Sequence, residues 1–462
     1  MRDRARVAVV ALAVLFTILY SLYGLFRHWH FGSSAYDLGI FDQVVWRLSR
    51  FETPGSSIRG FTHFLGDHFF PIVALFAPLY WLAPAPETLI IAQAALFGAS
   101  IVPVFAFARD RLGTGPAFGL AAAYALFWGV QSAIAFDVHE TGFATLFIAA
   151  AIVAVDRRRW TWVWVLMAAL VLVKEDMLPL VGCFGLLLMI RGERRRGVLL
   201  VAASIVSAAV VLGLIVPAFS DARAYGYSGA YADILRRPWT IPIVLVSPPV
   251  KVRTMLLWFA PFLFLPLRSP LCVLLLPFVA TRFLSSSPTH WGTVFHYTAP
   301  IAPILAMAAA DGLARLTANG TGRVAMRASS GRRIFAATLA MVVLSAVLPG
   351  NQPLWRVFRP RHYRGTSFHD AGYRALAIIP DRASVVAQGA VVPHLSQRDS
   401  VRVLDATAPD ADFVVAARDA NPWPAASTVA IDELLRSRRA RGYVVVFAEE
   451  GWTVLRRAPS DR

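Results

Sequence analysis

Two carboxylates stand just past the first apolar span (Val7 to Phe26), in Tyr36-Asp37-Leu38-Gly39-Ile40-Phe41-Asp42-Gln43. Carboxylates are costly to desolvate there, and nothing nearby in sequence neutralises them. They read as the floor of a site; the plainer alternative is a solvated loop start or helix N-cap. Other ionisable groups recur along the chain: His63, Asp67 and His68; Asp137, His139 and Glu140; Lys174-Glu175-Asp176; and Arg282, His290, His296 and Tyr297. His63 and Asp67 are four apart and would share a helix face. With Asp37 or Asp137 they could hold a divalent cation, Mg or Mn, against a metal-free hydrogen-bonded cluster. Asp137 and Glu140 are three apart, so a helix would bring them together. Paired carboxylates of this kind act as general base, cation ligand or proton relay. Lys174 and Lys251 are the only lysines in an arginine-rich chain. A pure charge requirement would be met by Arg, so a compact ammonium suits either a grip on Glu175 and Asp176 or contact with a phosphate; a structural ion pair explains it equally. Arg282 and His296 suit a phosphate or an interfacial anchor.

These residues need elements to place them. The 462 residues are 57% hydrophobic and 16% charged, with mean hydropathy +0.57, which excludes an ordinary soluble domain and indicates a polytopic membrane protein. The net charge of +17 sits in short Arg clusters between apolar spans, a pattern of topology determinants facing headgroups and not of a nucleic-acid surface. The first span lacks a small-residue cleavage site and reads as a retained helix. Cys183 and Cys272 fall in apolar spans and imply neither a disulfide framework nor a metal site.

Further apolar spans lie near 88–108, 116–135, 142–155, 160–173, 177–190, 198–218, 254–267, 270–283, 298–314 and 334–349. Arg clusters follow every second span; with the N-terminus, six such segments hold 18 Arg, against 11 Lys plus Arg in the opposite loops before residue 350. That asymmetry predicts a cytoplasmic N-terminus, a plasma-membrane location and an extracytoplasmic C-terminus. Phe69–Ala83 is apolar but short and holds Pro71 and Pro78, so it is expected as an interfacial or re-entrant helix, leaving eleven spans and an outer loop from about 27 to 87. All the ionisable motifs then face one side. Each charge would cost about 2.5–3.5 kcal/mol at a helix centre, so Lys174-Glu175-Asp176 is expected at the outer interface or in a wet cavity. The loop 219–250, with Tyr225, Tyr227 and Tyr231, suits an interfacial belt or an anionic lipid head.

From about 351 the composition changes. Short β-branched segments at 383–387, 401–404, 412–416, 442–447 and 452–455, with a helix near 428–440, predict a small α/β module with a largely parallel sheet. The chain thus divides into a transmembrane domain, 1–350, and an extracytoplasmic module, 351–462, which could be a cap over the outer mouth. No Walker loop, GxSxG or zinc-type spacing is present in the sequence.

In this order, Tyr36-Asp37-Leu38-Gly39-Ile40-Phe41-Asp42-Gln43, His68-Phe69-Phe70-Pro71, Asp137-Val138-His139-Glu140, Lys174-Glu175-Asp176 and His296-Tyr297 resemble the bacterial membrane-protein family catalogued as domain of unknown function 2079. Val392-Pro393-His394-Leu395-Ser396-Gln397-Arg398 looks like its C-terminal region. That family is similar to the C-type membrane glycosyltransferases, which use polyprenyl-phosphate sugars on the outer side. The resemblance implies an acid in the first outer loop, matched by Asp37, interfacial helices matched by 69–83, and a second acidic motif matched by Asp137 and Glu140. It further implies catalysis by Asp37, with Asp42, His68, Asp137, His139, Glu140, Lys174, Glu175, Asp176, Arg282, His296 and Tyr297 around the substrate. The usual Asp-x-Asp pattern is missing, and Thr141 stands where the family often has Pro. Composition and spacing by themselves show only an outward polar cavity. A transporter or flippase with an acidic/His relay, or a non-catalytic assembly protein, are the competing classes; a transporter predicts ionisable groups at mid-depth and internal repeats, and the sequence shows no clear repeat.

Overall fold

A backbone with no water to bond must satisfy itself, so the apolar stretches fold as helices. The computed structural model describes residues 2–318 and 328–458; Arg323 and Arg327 of the last Arg cluster lie outside them. Five helices are long and apolar enough to cross a membrane: Asp3–Trp29, Pro86–Leu112, Thr114–Ala135, Arg194–Phe219 and His296–Thr317. A pair bent by 70°, Pro238–Val246 with Val250–Phe262, brings the number to six, and shorter apolar helices include Thr141–Asp156, Trp160–Val171 and Pro270–Phe283. Length and hydropathy thus mark fewer crossings than the eleven expected. Phe69–Ala83 forms a 3₁₀ turn, Pro71–Phe76, and one helical turn, Ala77–Tyr80, in place of a long helix.

Long helices consecutive in the chain run in opposite directions between two ends. Trp29, closing the first helix, donates to Glu87 at the start of Pro86–Leu112 (2.9 Å), while Arg4 and Arg109 line one hollow at the other end. At that arginine end Arg111 donates to Asp156 (2.6 Å) and Asp311 (3.3 Å), Arg315 to Asp311 (2.8 Å), and Arg191 reaches Asp156 (3.5 Å). The acids and histidines of the motifs collect at the opposite end.

The C-terminal strands are β1 (Val385–Ala387), β2 (Val401–Val403), β3 (Phe413–Ala417), β4 (Tyr443–Glu449) and β5 (Trp452–Arg457), in the order β2-β1-β3-β5-β4. Strands β2, β1 and β3 are parallel, as expected; β5 is antiparallel to both β3 and β4. The sheet is therefore mixed and not largely parallel. The reason is local: only Glu450 and Gly451 separate β4 from β5, with φ of +46° and +80°, the tight-hairpin geometry that reverses the chain. The expected helix is Thr428–Ala440. One apolar core runs from the membrane helices into this sheet, joining Phe31, Leu38 and Ile58 to Val385, Val392 and Trp452. The compositional change near 350 is not a break in packing.

Candidate active site

The motif around Asp37 begins with a π-helical turn, Ala35–Gly39, and continues as the amphipathic helix Ile40–Ser49. A Cβ on Gly39 would meet Ile58 and Val392 at 3.3 Å, so this turn packs tightly under the C-terminal module. The turn presents Asp37, whose Oδ1 lies 3.1 Å from His139 Nε2. The His139 ring stacks on His296, with centroids 3.6 Å apart and planes at 22°. Both residues are buried, and Nδ1 of each lacks a hydrogen-bond partner.

Asp137 and Glu140 do not share a helix face. One helix closes at Ala135, the next opens at Thr141, and both acids lie in the turn between. Asp137 has φ of +76°, a left-handed conformation that Asp tolerates better than most residues. Its carboxylate pairs with Arg27 and accepts from the Ser34 N–H (2.8 Å). Glu140 instead pairs with Lys174 at 2.9 Å. Gln93 holds the turn from a neighbouring helix, donating to the Asp137 carbonyl (2.9 Å) and accepting from the His139 N–H (2.7 Å).

Lys174 links this turn to its own triplet. Burial opposes its charge, but Glu140, Asp176 and Glu175 hold its pKa well above the ordinary lysine range. Glu175 accepts from the Phe69 N–H (2.8 Å) and the Tyr225 hydroxyl (3.1 Å) and lies 2.5 Å from His68 Nδ1. Burial would raise its carboxyl; His68 and Lys174 bring it down to about 2. Asp176 goes the other way. Burial outweighs Lys174, Glu175 and Glu140 repel a second charge, and its carboxyl rises to about 7. Its Oδ1 has no partner.

Asp42 is fully buried, with Tyr80 and Gln397 on Oδ1 (2.5 and 3.1 Å) and Ser396 on Oδ2 (2.6 Å). Burial outweighs these donors and lifts its carboxyl to about 6. It sits beneath the C-terminal module, held by the motif around Val392–Arg398, and not in the His139 cluster.

The remaining candidates divide. Arg282 donates to the carbonyls of His290 (2.8 Å) and Gly292 (2.7 Å) and to Thr298 Oγ1 (2.5 Å). It pins the segment carrying His290, His296 and Tyr297, whose rings pack together: His290 on Tyr297 at 4.7 Å and His296 on Tyr297 at 4.3 Å. This is a buried brace, neither an interfacial anchor nor a cation free for phosphate. His63 caps the short 3₁₀ turn Phe64–Gly66, and Asp67 accepts from Tyr227 (2.9 Å). The two share no helix face because 64–66 is a single turn. Among the described residues no group of three or more His, Cys, Asp or Glu is arranged to hold a metal. The metal candidates Asp37, His63, Asp67 and Asp137 each face a different partner, so they do not form one Mg or Mn donor set.

Arg27 and Gln93 escape sequence reasoning, and Ser396 and Gln397 appear there only as part of the C-terminal motif, with no link to Asp42. Gln93 carried a signal, a lone amide in an apolar span. The hydroxyls of Tyr225, Tyr227 and Tyr231, which suit a belt or a lipid head by sequence, instead bond within the protein, to Glu175, Asp67 and the Thr281 carbonyl (2.8 Å).

Known structures show the same fold. The crystal structure of ArnT from Cupriavidus metallidurans bound to undecaprenyl phosphate aligns with TM-score 0.57 at 14% identity, covering 98% of both chains. Its apo state aligns with TM-score 0.56 at 15% identity, again over 98% of each chain. No curated protein sequence matches the chain. The family described as "Predicted membrane protein (DUF2079)" matches residues 27–454. The chain belongs to that family of membrane proteins.

Proposed function

We propose that this protein is an integral-membrane glycosyltransferase, moving a sugar from a polyprenyl-phosphate donor to an acceptor hydroxyl on the extracytoplasmic side. The observation that carries the reading is the Asp37–His139 pair, 3.1 Å apart, on the first loop of an ArnT-like fold. ArnT of that fold holds undecaprenyl phosphate, which supports a polyprenyl donor here. The acceptor oxygen attacks the anomeric carbon as the bond from that carbon to the phosphate oxygen breaks. Asp37 takes the hydroxyl proton, and polyprenyl phosphate leaves. His139 orients the carboxylate. Lys174, an ammonium with donors beyond the one facing Glu140, stabilises charge on the departing phosphate. His68, Glu140, Glu175, Asp176, His296 and Tyr297 line the chamber around the substrate, and Asp137 holds its floor through Arg27.

The arrangement in the membrane follows the same reading. Eleven crossings, including the short and bent helices, connect the arginine end in the cytoplasm to the chamber outside, supported by the alternating helix directions. Residues 1–350 form the transferase body, and 351–462 cover it from outside in the plasma membrane.

The test uses the full chain in lipid nanodiscs with polyprenyl-phosphate sugars as donors. Transfer by the wild type, and loss by about 10²–10⁴-fold in Asp37→Asn, is the expected result. Transfer by the variant at the wild-type rate overturns the assignment of the base.

A further inference from the structure

Between the helix Ala328–Val347 and the α/β sheet lies a segment with no part in the proposed transfer. Residues 351–369 hold Arg356, Arg359, Arg361 and Arg364 and no acidic residue. Two adjoining hollows open there. One of about 320 Å³ is lined by His30, Arg356, Arg359, Arg361 and His362; the other, of about 410 Å³, shares the three arginines and adds Gln352 and Trp355. All three guanidinium side chains are exposed, and among the described residues no carboxylate pairs with any of them, in contrast to the arginines at the far end of the bundle.

The cluster is held in shape. Tyr363 packs edge-on against Phe26 (4.7 Å), and His362 stacks on Tyr23 (5.6 Å), both from the first helix. The Leu354 N–H donates to Gln131 (3.0 Å), and Leu354 and Val357 are buried beneath the arginines. Three like charges held together without a counter-ion repel one another, so a rigid frame of this kind favours an anion that joins them. Planar guanidinium groups match a phosphate with paired donors. The surroundings say where that phosphate comes from. Trp355 and Phe358 are exposed, and the Trp355 indole donates to Ala346 in the last turn of the apolar helix Ala328–Val347 (3.0 Å). Aromatic rings at a helix end beside unpaired arginines are the pattern of a headgroup-level site. His30 stands seven residues before Asp37, which puts the hollows at the chamber end of the molecule.

We propose that Arg356, Arg359 and Arg361 form a binding site for the phosphate of a membrane lipid with a net-anionic headgroup, separate from the Asp37–His139 pair. This proposal stands without the transferase reading, because its test reads binding and not turnover.

The full chain in detergent is titrated with phosphatidic acid, phosphatidylcholine or inorganic phosphate, and bound lipid is counted by native mass spectrometry. Each arginine near a charged headgroup contributes roughly fivefold, so the triple variant R356Q/R359Q/R361Q is expected to lose phosphatidic acid affinity by on the order of 100-fold. Triple substitution to Lys retains part of it, because charge survives and paired donation does not. Phosphatidylcholine binding stays equal in wild type and variant. The single variant R359Q, with a loss of roughly fivefold, supplies the same answer should the triple variant not fold. Unchanged phosphatidic acid affinity in these variants overturns the proposal. An equal loss in R436Q/R439Q, on the exposed face of Thr428–Ala440, also overturns it by showing a general charge effect. Displacement of the lipid by millimolar inorganic phosphate overturns the lipid as the source.

Discussion

The two ends of the helical body handle charge in different ways. At the arginine end, Asp156 meets Arg111 and Arg191, and Asp311 meets Arg111, Arg315 and Ser269. No buried polar side-chain atom of these residues is left without a partner. Of the motif acids at the opposite end, only Asp137 pairs with an arginine among the described residues, Arg27, while Asp37, Glu175, Glu140 and Asp67 face His139, His68, Lys174 and tyrosine hydroxyls. There Asp176 Oδ1 and the Nδ1 atoms of His139, His290 and His296 are buried and unpartnered. Arginine stays charged across all accessible pH, so a carboxylate locked to it is structural. Histidine is neutral or charged according to its surroundings, so a carboxylate that faces it keeps a partner able to exchange a proton. The contrast agrees with placing the proposed transfer at the Asp37 end.

The sharpest way to break the contrast is to remove one carboxylate from each end. Asp37→Asn is expected to reduce transfer by about 10²–10⁴-fold while leaving thermal unfolding in detergent nearly unchanged. Asp311→Asn is expected to lower the unfolding temperature while the folded fraction keeps its turnover. The reverse assignment of effects would show that both ends are structural.

A second test asks what Lys174 holds. Lys174→Met leaves Glu140 and Asp176 buried without their counter-charge, and a loss of about 3 kcal/mol is expected in unfolding measurements. Restored stability in a Lys174→Met/Glu140→Gln double variant would confirm Glu140 as the partner.

The pH dependence of stability separates two chamber-end carboxyls by sign. The Asp42 carboxyl stands at about 6 in the fold against an ordinary 3.8. Below about pH 4 its contribution is fully present; as pH rises through 6 it is lost, by roughly 3 kcal/mol. Glu175, at about 2 against an ordinary 4.5, is opposite: its contribution is present above pH 4.5 and lost as pH falls through 2. Thermal unfolding from pH 3 to pH 8 should therefore lose its Asp42 slope in Asp42→Asn and keep the acid-side fall. An unaltered profile in that variant removes Asp42 from the account.

The smallest expected effect concerns the seam with the C-terminal module. Gly39→Ala places a methyl against Ile58 and Val392 at 3.3 Å, and about 1 kcal/mol of destabilisation is expected. No measurable change would mean that the turn and module separate easily.

Much of this protein was legible in its residue order. The five strand segments and the helix near 428–440 appear within a few residues of where β-branched runs and polar periodicity put them. The segment 69–83, expected as one interfacial or re-entrant helix, is split into a 3₁₀ segment and a single helical turn, with Pro71 and Pro78 at their starts. The motifs around Asp37, His139, Lys174 and His296 gather at one end because the helix directions alternate. Even the sheet error had a local cause: Glu450-Gly451 is too short for anything but a hairpin.

Pairing was another matter. Sequence determined which residue types lie at which end, since apolar length and arginine placement act on each segment separately. Only the tertiary structure decided that Asp37 takes His139, that Asp137 turns to Arg27 while Glu140 turns to Lys174, and that Arg282 braces a loop. It also decided that Ser396 and Gln397, some 350 residues away in sequence, reach Asp42. Such choices depend on the packing of distant helices and on backbone turns at single residues. Hydrogen bonds act over about 3 Å, whereas segment patterns place a side chain only to within a helical turn.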